Sequence, residues 1–108
     1  DKEKLLRVVL NGVHNAIQAM GTEGSLHISL RKDSYWGFIE IHDTGPGIDE
    51  SHFPNLFIPF YTTKTNGTGL GLAYSKKVIE GMGGRINLSN RHDKAGAVLT
   101  ICLLAVEE

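Results

Sequence analysis

The chain has 108 residues, a formal net charge of −1 and one cysteine, with 41% hydrophobic and 21% charged residues. That length suits one domain with one core, the near-neutral charge gives no basic field for nucleic acid, and a lone thiol excludes an internal disulfide. No apolar run approaches the ~20 residues that cross a bilayer, and no signal peptide is visible.

The opening Asp1-Lys2-Glu3-Lys4 has no initiating Met, so residues 1–108 are expected to be one domain cut from a longer protein. Residues Lys4 to Met20 read as a helix. Leu6, Val9, Leu10, Val13, Ile17 and Met20 recur at helical spacing and predict its buried stripe. Asn11, Asn15 and Gln18 fall together on the opposite side. Solvated faces usually carry Lys and Glu, and two amides one turn apart are poor helix formers, so that side is expected to face a ligand.

Gly21-Thr22-Glu23-Gly24 breaks the helix. Leu26, Ile28 and Leu30 alternate with polar residues and predict a strand with one buried face. Lys32-Asp33-Ser34 reads as a hairpin turn, and Tyr35 to His42 as the next strand. By the period of two, Asp43 shares the face of Ile39 and Ile41 and points inward. An inward carboxylate is costly without a hydrogen-bond partner. It caps the following turn or contacts a ligand, and the adjacent Gly45-Pro46-Gly47 favours the ligand.

Asp49 is placed to cap a short helix over Phe53 to Leu56. From Phe57 to Thr68 the chain reads as a long irregular loop, anchored by Phe57 and Phe60, with Lys64 within reach of a phosphate. Gly67, Gly69 and Gly71 then stand at alternate positions before an amphipathic segment, Gly69 to Met82. Glycines before a helix N-terminus form an anion cradle, because free N–H groups and the helix dipole converge there. Gly83-Gly84 is expected to end that helix with a left-handed cap. Ile86 and Leu88 mark a strand, Asn90 to Gly96 a polar turn, and Val98 to Leu104 a central strand holding Cys102 as a buried thiol.

Four motifs in order carry a resemblance: Asn11-x-x-x-Asn15-Ala16, Asp43-Thr44-Gly45-Pro46-Gly47-Ile48, Phe57-x-Pro59-Phe60, and Gly67-Thr68-Gly69-Leu70-Gly71-Leu72. The set resembles the N, G1, F and G2 boxes of the catalytic ATP-binding domain of two-component sensor histidine kinases. That domain sits in the GHKL superfamily, shared with gyrase, the heat-shock chaperone ATPase and mismatch-repair ATPases.

The resemblance implies a two-layer α/β sandwich, with three helices on one face of a mixed, mostly antiparallel sheet. It implies ATP and Mg²⁺ as ligands. Asp43 would accept from the exocyclic amine of adenine, Thr100 would support that contact through water, and Gly45, Gly47 and Ile48 would pack against the base. Asn15 would ligate Mg²⁺ through its side-chain oxygen. Phe60, Thr63 and Lys64 would contact the nucleotide from the lid, and Gly67, Thr68, Gly69, Leu70, Gly71 and Leu72 would cradle the phosphates. Asn11, Asn15 and Lys64 would stand around the reacting phosphate. Hydrolysing relatives carry a Glu at the position of Asn11; an amide has no useful basicity, which favours transfer to a protein over transfer to water. Gln18 stands where some relatives have a phosphate-contacting Lys or Arg.

The implied partners are a dimerisation domain carrying the phosphoacceptor histidine and a response-regulator receiver domain, in the cytoplasm, with no direct membrane contact from this domain. None of His14, His27, His42, His52 and His92 matches an acceptor motif or metal-ligand spacing. Two rival readings are a conformational-clamp ATPase of the same fold and a non-catalytic interaction module.

Overall fold

The computed structural model describes residues 2–61 and 71–104. Helix α1 spans Lys2–Met20, strand β1 Leu26–Lys32, strand β2 Trp36–Asp43, a 3-10 helix Glu50–Asn55, helix α2 Gly71–Gly81, strand β3 Arg85–Asn90 and strand β4 Ala97–Leu104. The strands form one sheet in the order β1-β2-β4-β3. All three pairings are antiparallel. This is the expected α/β sandwich, with two α-helices and one 3-10 helix among the described residues.

Local chemistry explains the ends of the elements. Asp33 turns the β1–β2 hairpin by accepting from the N–H groups of Tyr35 and Trp36 at 2.8 and 2.7 Å. Those bonds, the one from Trp36 foremost, hold its carboxyl below the ordinary aspartate range. Asp49 caps the 3-10 helix by accepting from Ser51 N–H at 2.9 Å. Helix α2 ends as expected: Gly83 sits at φ +78, Gly84 N–H bonds Ile79 C=O and Gly83 N–H bonds Glu80 C=O. That is the paired Schellman pattern.

The core lies between the helices and one face of the sheet. Val8 and Ala16 of α1 and Ile79 of α2 pack with Ile41, Leu99 and Ile101. The buried side of α1 differs from the predicted stripe. Val8, Gly12 and Ala16 are buried, whereas Leu6, Leu10 and Ile17 are each more than half exposed. Small residues turn this helix toward the sheet. A Cβ on Gly12 would stand 2.7 Å from Leu99 Cδ2 and 2.8 Å from Ile41 Cδ1, so glycine lets the helix axis come close. Part of the predicted stripe packs on the core through Val9 and Val13, but the deepest contacts are made by Val8, Gly12 and Ala16, two of them too small for apolar periodicity to weight.

Two further expectations are corrected. Ile28 and Leu30 of the edge strand β1 are exposed, Leu30 at 75%, because α1 lies mainly over β2. Cys102 is half-buried rather than buried.

Filling the Gly12 space tests this packing. Alanine gains about 1 kcal/mol of helix propensity but overpacks a closed core, which costs typically 1–3 kcal/mol. Gly12→Ala is expected to lower the urea midpoint slightly and Gly12→Val substantially; a rise in both would show the approach is not tight.

Candidate functional site

The site is built around the end of β2. Asp43 is 5% exposed and shares the inward face with Ile39 and Ile41, as the period of two requires. Its Oδ1 accepts from Gly45 N–H at 2.9 Å and from Ala97 N–H at 3.1 Å. One donor belongs to the loop after β2 and the other to the start of β4. Both bonds fall on Oδ1, which leaves Oδ2 as the oxygen able to accept from an outside donor.

The loop from Asp43 to Ile48 is wedged between α1 and the β3–β4 hairpin. A Cβ on Gly45 would press within 3.3 Å of the Ala19 backbone. Ala19 lies one turn beyond Asn15, which lies one turn beyond Asn11. The stripe Asn11–Asn15–Ala19 therefore runs along α1 to the Asp43 loop. Asn11 and Asn15 are half-buried beside the buried Gly12 and Ala16, while Gln18 is exposed. The structure thus separates the two amides from Gln18, with which sequence spacing grouped them on the side expected to face a ligand.

The hairpin holds the other side. Asn90 Oδ1 accepts from Ile48 N–H at 2.7 Å and its Nδ2 donates to Ile48 C=O at 2.8 Å. Gly47 takes φ +82, and a Cβ there would lie 2.8 Å from Asn90 Oδ1. Arg91 Nη1 donates to the Asp43 carbonyl at 3.2 Å. Its guanidinium also bonds Asp93 and holds that carboxyl below its usual range. A Cβ on Gly96 would meet the Asp43 carbonyl at 2.0 Å. Asn90, Arg91 and Gly96 were read from sequence only as a polar turn. Local pattern carries no signal for bonds that span 42 and 48 residues.

Thr100 is a correction. Its neighbours Leu99 and Ile101 point to the core with Ala97, so Thr100 points to the other side of the sheet. There it stands opposite Glu40 and lines a surface recess with Glu40 and His42. It cannot support a contact made by Asp43. Ala97 is the β4 residue beside that carboxylate.

Phe60 as a loop anchor is also corrected: it is 74% exposed, with φ 70. Phe57 is half-buried, with Lys76 Nζ 5.8 Å from its ring centre. His52 Nδ1 and Tyr61 Oη are hydrogen-bonded, which ties the 3-10 helix to Tyr61. Gly71 opens α2, and the partly buried Leu72 packs against the core. Thr63, Lys64, Gly67, Thr68, Gly69 and Leu70 lie outside the described residues.

Residues 1–107 match the family of histidine kinase-, DNA gyrase B-, and HSP90-like ATPases. The chain belongs to this family. The sensor histidine kinase ZraS of Escherichia coli strain K12 is 36% identical over 103 residues, which cover 95% of this chain and 22% of that protein. The chain thus spans about a fifth of the length of that relative. The catalytic domain of the histidine kinase ThkA has a TM-score of 0.87 and 36% identity, covering 96% of this chain and 68% of that one. Full-length ShkA, solved in complex with AMPPNP, has a TM-score of 0.84 and 25% identity, covering 99% of this chain and 23% of ShkA. Among the described residues, no helix is long and apolar enough to cross a membrane.

Asp43 has two separable tasks, and substitution separates them. Asp43→Ala orphans the N–H groups of Gly45 and Ala97, at about 1–3 kcal/mol for each buried donor left unpaired. Asp43→Asn keeps an oxygen for both. Thermal unfolding is expected to show a large loss for alanine and a small one for asparagine; equal losses would contradict the two-bond assignment.

Proposed function

We propose that this chain is the catalytic domain of a sensor histidine kinase. It binds Mg-ATP and transfers the γ-phosphoryl group to a histidine on a separate dimerisation domain, from which a receiver domain takes it. The observation that carries the reading is the buried Asp43 carboxylate. One oxygen is held by two backbone N–H groups, and the other can accept from the amine at C6 of adenine. Guanine has a carbonyl oxygen there, so an acceptor distinguishes the two bases. Family membership and the AMPPNP complex of ShkA support a nucleotide as the ligand.

The asparagine stripe of α1 suits the phosphate end. Asn15 offers a hard amide oxygen, which Mg²⁺ accepts, and that ion is usually held by one or two protein ligands plus substrate phosphates rather than by a protein cage. A metal held there would neutralise charge on the phosphates. Asn11 supplies no base for water. In the proposed transfer, an imidazole nitrogen of the acceptor bonds the γ-phosphorus, the bond to the β–γ bridging oxygen breaks, and ADP leaves. This chain's residues contribute orientation of ATP; in-line placement of the acceptor provides most of the remaining acceleration. Lys64, Thr63 and the glycines from Gly67 to Gly71 are proposed to contact the phosphates. The reading places the domain in the cytoplasm, where ATP and a receiver domain are available.

Radiolabelled ATP tests it. The isolated chain is expected to bind Mg-ATP, to leave itself unlabelled and to hydrolyse ATP slowly. Addition of the cognate helical domain is expected to yield an acid-labile, base-stable phosphohistidine on that domain. Fast turnover without a partner, or label on this chain alone, would overturn the kinase reading in favour of an ATPase.

A further inference from the structure

We propose that Asn90 is a positioning residue for base recognition, acting through the loop that carries Asp43. The inference rests on the reading of Asp43 as the adenine acceptor. Asn90 ends β3 and pairs in register with Ala97 at the start of β4. Those two partners grip the loop at opposite ends. Ala97 N–H bonds the Asp43 carboxylate, and the Asn90 amide takes both backbone groups of Ile48. The loop that presents the carboxylate is therefore fixed at both ends to a single rung of one hairpin.

The chemistry suits a geometric task. A primary amide sets an N–H donor beside a C=O acceptor in one plane, which matches the N–H and C=O of a single residue. Neither bond adds charge beside a base-reading carboxylate. The fit is also exclusive: Gly47 lacks a side chain where the Asn90 oxygen sits, 2.8 Å from the position of a Cβ. Glycine at 47 is thus needed for its φ of +82 and also to admit the amide. Both polar atoms of the Asn90 side chain are engaged by Ile48. Without these bonds the loop would keep Gly45 against Asp43 but lose its far anchor. The carboxylate would then be presented over a range of positions rather than one, and base selection would suffer before folding does.

A double-mutant cycle tests this. ATP affinity is measured by calorimetry for the wild-type chain, Asn90→Ala, Asp43→Asn and the double variant, with thermal unfolding alongside. Each single change is expected to weaken ATP binding about tenfold. The double variant is expected to bind no more than about twofold more weakly than Asp43→Asn, because the carboxylate that Asn90 positions is already gone. Asn90→Asp, which keeps the acceptor for Ile48 N–H, should lie between wild type and Asn90→Ala, and it stands in if the alanine variant does not fold. Additive losses, or unchanged ATP affinity in folded Asn90→Ala and Asn90→Asp, would overturn the inference. Failure of the wild-type chain to bind ATP would instead overturn the base-site reading beneath it.

Discussion

A buried carboxylate needs donors, and the donors for Asp43 come from parts of the chain that are far apart in sequence. Gly45 lies two residues away, while Ala97 lies 54 residues away. The bond to Ala97 exists only when β4 lies beside β2 in the observed register, with His42 opposite Val98. Folding of the sheet and formation of the site are therefore one event. The same constraint accounts for the close approaches around the loop, at Gly45 against Ala19 and at Gly96 against the Asp43 carbonyl. A side chain at Gly96 would displace the Asp43 carbonyl, and one at Gly45 would crowd the Ala19 backbone.

The fold was legible where short-range physics decides it. Alternation marked β2 and placed Asp43 inward, and Gly83-Gly84 named the cap that α2 uses. The helix face was legible only in part: Val9 and Val13 of the stripe pack against the core. Apolar periodicity weights large side chains, but α1 meets the sheet through Gly12 and Ala16, so part of the predicted stripe faces outward. Ile28 and Leu30 followed the correct alternation yet stay exposed, because coverage of an edge strand depends on where the helix lies.

The candidate site divides along the same line. Asp43, Gly45, Gly47 and Ile48 lie in one short segment, and the motif order singled them out as candidates. Thr100 failed on parity: one residue along β4 separates the face of Leu99 from the open face shared with Glu40. The nearly continuous apolar run from Ala97 to Leu104 hid the alternation of buried residues from Ala97 to Ile101. Asn90 carried no signal at all, since an asparagine before a polar turn is an ordinary turn former. Its role depends on a loop 42 residues earlier.

The central claim is that Asp43 reads the amine of adenine. Calorimetry with purine riboside triphosphate, which differs from ATP only by lacking that amine, tests it most directly. The account predicts binding at least tenfold weaker than ATP by wild-type protein, and near-equal binding of the two nucleotides by Asp43→Asn. Equal affinity of the wild-type chain for both nucleotides would contradict it.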